Sequence, residues 1–264
     1  MSLFNDQAAI AAEIRSDRLI LAGETYFPGV TLGDDYLFAK VRAAEADLER
    51  RLRVFLEPVE VLPQTATQDE RDAFDNAVDG ENNPAPIRWV EEPGYDLTQG
   101  FFSGNAWGFI PLRHKPAIAV HSIKFIYPQP STQVFEVPAE WLRLDKKYGQ
   151  INLVPSGAQS FVAPISTWMM QVMGGGRDIP SMIQVRYRAG LEDVPNRHPD
   201  VYDLLKKMAA LSVLQDAFLP ASTSQSIDGM SQSFSADVDK FADGLNTKVD
   251  TLRQSLHGVR MMVM

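Results

Sequence analysis

The residue types able to do chemistry are few, and their spacing does not serve it. The four histidines, His114, His121, His198 and His257, include no pair at i+2, i+3 or i+4, so no local metal motif is encoded. The chain has no cysteine, which removes disulfide frameworks, thiolate zinc sites, iron–sulfur clusters and cysteine nucleophiles together. No GxSxG, GxxxxGK[ST] or GxGxxG pattern occurs, so neither a nucleophile elbow nor a phosphate-cradling loop is written in the usual form. The run Gly174–Gly176 sits between two expected strands, ahead of Arg177 and Asp178, and reads as a hairpin tip. Adjacent acids such as Asp34-Asp35 and Glu91-Glu92 diverge on a helix or strand. They read as helix-start or surface charges rather than an acid–base pair. The aromatics Phe101, Phe102, Trp107 and Phe109 suit a small β core or a surface docked on a neighbour. A stacking platform for a sugar or base is the alternative, and with it a carbohydrate-binding or hydrolase module. The sequence therefore predicts no catalytic residue, no cofactor and no metal.

The elements that carry these residues fall into three blocks. An Ala-rich helix is expected from about Asn5 to Leu21, then a loop over Glu24–Gly33. Asp34 and Asp35 open a strong helix running to about Phe55, where acids favour the positive end of the dipole. Leu37, Val41, Ala44, Leu48, Leu52 and Phe55 form its apolar stripe. Arg42, Glu45, Glu49, Arg50, Arg51 and Arg53 lie off that stripe, and such mixed charge marks either a solvated face or a subunit interface. Pro58 and Pro63 end the pattern. Residues 64–86 are polar and acidic, a connector with one short helix near Asp69–Val78.

From Ile87 to Gly190 the punctuation is that of short strands. Expected strands are Ile87–Val90, Ala106–Ile110, Ala117–Tyr127, Val134–Val137, Trp141–Leu144, Gln150–Val154, Phe161–Val172 and Ile183–Tyr187. WLRLDKKYGQINLV is the clearest hairpin, with Gly149 available for positive φ. The last block is helical. Pro199 suits a first helical position, and the stripe Val201–Phe218 ends at Pro220. A Ser-rich linker follows, then a helix capped by Ser235 and closed near Gly258. Val238, Phe241, Leu245, Val249, Leu252 and Leu256 form a near-heptad seam on this helix, which is roughly 33 Å long.

The expected fold class is α+β: an α-helical bundle formed by N- and C-terminal segments with an inserted antiparallel β domain. Neither terminal half carries enough apolar stripe alone. Residues 1–63 and 191–257 would form the helical core, 64–86 the acidic connector and 87–190 the β-rich insertion. Residues 258–264 would be a tail.

Charge narrows the function classes. The 264 residues carry a formal charge of −9, of which residues 1–80 hold −8, residues 81–190 hold +2 and residues 191–264 hold −3. No basic arm or patch exists, so tight nucleic-acid binding by phosphate neutralisation is not expected. An acidic surface lets nucleic acid pass without sticking. No apolar run reaches eighteen residues and no secretory signal opens the chain, so a soluble protein with no membrane partner is expected. The terminal VRMMVM resists a bland account, because a free monomer gains nothing by exposing it. Either Val259, Met261, Met262, Val263 and Met264 fold back on the chain's own core, or they dock in another chain.

The order of these segments resembles the head–tail connector (adaptor, neck) proteins of tailed bacteriophages. DDYLFAKVRAAEADLERRL resembles the family's early helix, PLRHKPAIAVHSIKFIY its strand after an R-x-x-P step, and WLRLDKKYGQINLV its hairpin. IQVRYRAGLEDVPNRHPDVYDLLKKMAALSVL resembles its strand, Tyr-x-Ala-Gly end, Pro loop and helix. SIDGMSQSFSADVDKFADGLNTKVDTLRQSL resembles its small turn and final helix. The likeness covers most of residues 31–257; the first thirty residues and the long β block depart from it. It implies a structural, non-enzymatic virion protein at the neck, made in the bacterial host cytoplasm. Such proteins form rings, commonly twelve-fold, that extend the portal channel and present a surface to tail or further neck proteins. The resemblance implies that Ser235–Met264 docks on the portal protein. It also implies that the helix bearing Asp34, Asp35, Arg42, Glu45, Glu49 and Arg53 lines the channel or a subunit interface, with packaged DNA passing unbound. Another tail or baseplate component is the alternative within the same class.

Overall fold

The computed structural model describes residues 7–26, 29–75, 87–97, 109–127, 133–154, 178–218 and 230–257. In chain order its first elements are α1 (Gln7–Arg15), α2 (Arg18–Tyr26), α3 (Asp34–Leu52), β1 (Val59–Pro63) and α4 (Gln68–Asp75). Next come β2 (Trp89–Glu92), β3 (Tyr95–Leu97), β4 (Phe109–Pro111), β5 (Ala117–Tyr127), β6 (Gln133–Glu136), β7 (Leu142–Asp145), β8 (Gln150–Leu153) and β9 (Ile179–Ala189). The chain then turns helical again with α5 (Val194–Arg197), α6 (Pro199–Val213) and α7 (Met230–His257). The fold class is α+β. Two compact units are present, Met1–Glu57 with Glu192–Met264, and Pro58–Leu191. Among the described residues no helix is long and apolar enough to cross a membrane.

In the helical unit, α3 buries Leu37, Val41, Ala44, Leu48 and Leu52 on one stripe, as its 3.6-residue period requires. α3 packs on α1, α6 and α7, and α6 on α7, so helices from both ends of the chain share one core. α3 stops at Leu52 because Arg53 adopts the left-handed conformation, φ 55°. Phe55, expected inside the helix, lies beyond it. The single helix expected over Asn5–Leu21 is broken. Ser16 Oγ donates to the Glu13 carbonyl at 2.7 Å, competing with the ladder, and the Asp17 carbonyl accepts from Leu21 N to restart it. The break leaves Ile14 and Ile20 both fully buried. α7 begins at Met230, so Ser235 lies within the helix and not at its cap. α6 does begin at Pro199, and a π-helical turn over Leu214–Phe218 follows it.

In the other unit the main sheet runs β2-β1-β9-β5-β6, with β3 also paired to β9, and a second sheet runs β4-β8-β7. All pairs are antiparallel except β1 with β2, which is parallel. β1 and β3 are not among the strands expected from sequence, and residues 59–63, counted there with the helical core, are a central strand. β9 shows the two-residue period: Ile183, Val185, Tyr187 and Ala189 are buried while Arg186 and Arg188 on the other face are half-buried. The β7–β8 hairpin turns at Gly149 with φ +59°, the conformation expected for it. The short helix of the connector is α4. Its capping box has Glu70 N donating to Thr67 Oγ1 at 3.3 Å and Thr67 N to Glu70 Oε2 at 2.9 Å. Phe74 of α4 packs with Leu62, Ala66, Ile87 and Trp89. The strand expected over Phe161–Val172, the Gly174–Gly176 tip and the aromatics Phe101, Phe102 and Trp107 lie outside the described residues.

Gly94, between β2 and β3, is required by close approach. A Cβ there would lie 2.3 Å from Gln184 Nε2 and 2.7 Å from the Ser181 carbonyl oxygen. Gly94→Ala should therefore cost about 1–3 kcal/mol by overpacking, read as a lower urea midpoint. An unchanged midpoint would mean that the backbone yields freely at this crossing.

Candidate docking and assembly surfaces

The acidic start of α3 is exposed, but it also ties the helical unit together. Arg15 of α1 bonds Asp34 at 2.6 Å and the Leu32 carbonyl at 2.8 Å, and Gln7 Nε2 donates to Asp35 at 2.7 Å. Arg42 and Arg53 are exposed. Glu45 and Glu49 are not: they are only 4% and 9% exposed. The off-stripe face is thus not uniformly solvated. Glu49 Oε1 accepts from Leu56 N at 2.9 Å, holding the turn after the helix, and Glu45 lies 3.4 Å from the Arg42 guanidinium. The exposed positions among the six are Asp34, Asp35, Arg42 and Arg53.

The α7 seam divides in a similar way. Leu245 and Val249 are buried, at 5% and 3% exposure, in the core shared with α3 and α6. In this conformation they serve the chain's own packing and present nothing to a partner. Phe241, Leu252 and Leu256 keep partial exposure. Arg51 of α3 donates to Asn246 Oδ1 at 2.7 Å, and Lys40 pairs with Asp216, so both ends of the helical unit are also stitched by polar contacts. The tail residues Val259, Met261, Met262, Val263 and Met264 lie outside the described residues. An open groove of about 270 Å³ lies between α6 and α7, lined by Leu204, Leu252, Thr251 and four charged side chains.

The β unit holds a polar cluster that sequence spacing does not reveal. Glu92, at 2% exposure, accepts from Tyr95 OH at 2.7 Å on one oxygen and from Tyr187 OH at 3.0 Å on the other. The phenol oxygens in turn accept from the backbone N–H groups of Arg113 and His114, at 3.1 and 3.2 Å. The Arg113 guanidinium lies 4.2 Å from the Tyr95 ring centroid and donates to the Pro93 and Gly94 carbonyls. Burial raises the Glu92 carboxyl above its ordinary value, against the opposing pull of the two phenols and Arg113. Burial and the Glu92 charge raise both phenols. Burial, helped by Arg113, lowers His114. Every member has a partner within the cluster, so it latches the segment before β5 onto β2, β3 and β9 and offers no open position to a substrate. A second buried acid, Glu60 on β1, sits 3.2 Å from His121 Nε2 and 3.8 Å from Arg188 Nε. Among the described residues no group of three or more His, Asp or Glu could hold a metal ion.

No protein-family model and no curated protein matches this chain. Among solved structures, one similar chain comes from the neck of an empty gene transfer agent particle computed with C6 symmetry. It is 13% identical, with 100% of this chain and 96% of that chain covered and a TM-score of 0.40. Another comes from the virion of a native gene transfer agent particle, 13% identical, with 95% and 94% covered and a TM-score of 0.38. Scores of this size, below 0.5, assign neither a fold nor a role.

Proposed function

We propose that the chain is a structural, non-enzymatic subunit of the neck of a tailed-phage-like particle. Copies of it, twelve by the resemblance, form a ring beneath the portal that extends the DNA channel and joins head to tail. The particle is assembled in the bacterial host. The observation that carries this reading is the order of segments. A helix with acids in its first turn, an inserted β unit, a strand ending in Tyr-x-Ala-Gly, and two final helices follow one another as in connector proteins, and the helices from both ends share one core. In this reading the exposed Asp34, Asp35, Arg42 and Arg53 face the channel or the next subunit. Phe241, Leu252 and Leu256, with Val259, Met261, Met262, Val263 and Met264, dock on the portal. Leu245 and Val249 support that surface from beneath.

The test mixes the purified chain with the portal protein of the same genome and reads mass and particle images. A ring of this chain on the portal is the expected result, and a chain that remains unbound at micromolar concentrations overturns the reading. Deleting Val259–Met264 should weaken binding about tenfold or more, since one lost buried apolar side chain is worth at least that. Unchanged affinity removes the tail from the docking surface. Labelling at the baseplate in place of the neck would move the protein to the other end of the tail.

A further inference from the structure

We infer that the turn of the β7–β8 hairpin is a contact between copies of this chain, its lysines docking on the acidic α4 and β2 of a second copy. The turn and the segment before β5 form one small basic patch that only folding assembles. Leu112 N donates to the Gly149 carbonyl at 2.7 Å and Ala117 N to the Lys146 carbonyl at 2.9 Å. These bonds tie the loop bearing Lys115 to the turn bearing Lys146 and Lys147. A Cβ on Gly149 would lie 3.1 Å from Lys115 Cβ, so the approach is close. Lys146 and Lys147 are exposed and Lys115 is half-buried. Asp145, the acid of the turn, accepts from Tyr148 N at 3.3 Å. Among the described residues none of the three lysines has a carboxylate partner. Three cations fixed together and left unpaired repel one another until an anionic surface meets them.

Charge selects the occupant. Residues 111–191 carry nine Lys and Arg against four Asp and Glu, a balance of +5 in a chain of −9. Residues 58–110 hold −8 in 53 residues, whereas the helical unit holds −6 in 130. Acid is therefore densest within the β unit itself. Asp69, Asp72 and Asp75 of α4 and Glu91 of β2 are exposed. Arg71, the one cation of α4, pairs with Glu91 at 2.7 Å. β2 is an end strand of the main sheet, while the lysines lie on the turn of the second sheet, so the two charged patches are different surfaces. A contact between two different surfaces can repeat head to tail, and with a suitable rotation it closes a ring. Duplex DNA offers denser charge, but the −14 carried outside residues 111–191 opposes its approach. The inference rests on the ring reading and adds to it one contact between neighbours.

Sedimentation of the free, full chain tests this with no portal present. The native chain should self-associate at concentrations approaching millimolar, and raising the salt from about 20 to about 200 mM should weaken that association. Lys146→Glu with Lys147→Glu should weaken it about tenfold, because like charges then face each other across the contact. Adding Asp69→Lys and Asp72→Lys to that variant reverses both surfaces and should restore association to the native level. All four side chains are exposed, so the fold is kept. A native chain that stays monomeric at low salt overturns the inference, and so does association indifferent to the lysine substitutions. A loss that Asp69→Lys and Asp72→Lys do not reverse also overturns it, since the acids would then lie elsewhere. So does a short duplex DNA that binds through Lys146 and Lys147, which would make the patch a phosphate contact. A ring on the portal without these effects removes this contact alone. Self-association as described, with no ring on the portal, removes the ring reading alone.

Discussion

Val249→Asp should release α7 from the helical unit and leave the β unit intact. Val249 is 3% exposed and Leu245, one turn earlier, 5%. Both face a core made by α3 and α6, where an added carboxylate would have no designed partner. An uncompensated buried polar group costs about 2–7 kcal/mol, against a total stability of about 5–15 kcal/mol for a typical domain. The helix has an alternative that avoids most of that cost, which is to leave that core and expose the carboxylate to water. Hydrogen exchange reads the outcome residue by residue. Amides over 240–256 should lose most of their protection, while those of β5 and β9, in the other compact unit, keep theirs. Asp250→Ala, at an exposed neighbouring position, should change little, within about 0.5 kcal/mol. If α7 kept its protection with Val249→Asp, the closing of the helical core by the C-terminal segment would be refuted.

The same residues explain what was legible in the sequence. α3 and the inner side of α7 can be read because their apolar positions repeat locally, at spacings the helix itself imposes. The β7–β8 turn can be read because Gly149 supplies a conformation that few other residues tolerate. β5 falls at its expected bounds, Ala117–Tyr127, because a long alternating run lies between prolines. β1 does not read as a strand from its sequence, because VEVLP is short, flanked by Pro58, and carries an acid at its second position. Only its pairing with β2 and β9, which lie far along the chain, makes a strand of it. The burial of Glu45 and Glu49 is a similar case. Helical periodicity places them beside the apolar stripe, but the loop that returns through Leu56 decides that Glu49 is covered and bonded. Periodicity marks the α7 seam as one continuous face, and packing splits it into the buried Leu245 and Val249 and the partly exposed Phe241, Leu252 and Leu256. Periodicity gives the face of a helix and not the identity of what covers it.

The Glu92 cluster is the extreme of that rule, since its members Glu92, Tyr95, Arg113, His114 and Tyr187 come from segments that only the folded sheet brings together. Its energetics should be large and pH-dependent in a definite direction. Glu92→Ala leaves the protons of two buried phenols without their acceptor, at about 1–3 kcal/mol each, so the β unit should lose about 2–6 kcal/mol. All four tryptophans of the chain, including Trp89 and Trp141, fall within Pro58–Leu191, so their fluorescence in urea reports on this unit. For the pH dependence the informative variant is Glu92→Gln, which keeps the shape and removes the titration. Burial holds the Glu92 carboxyl above its ordinary value of 4.5 in the folded chain. From pH 4.5 up to that raised value the folded state keeps a proton that the unfolded state has released, so stability falls as pH rises. The contribution of the neutral carboxyl is fully present below pH 4.5 and is lost as pH climbs through the folded pKa. Stability of the native sequence relative to Glu92→Gln should therefore decline with rising pH across this window, by up to about 1.4 kcal/mol per pH unit, and level off above it. A difference that rose with pH would mean that the two phenols and Arg113 outweigh burial, and that Glu92 is held as an anion.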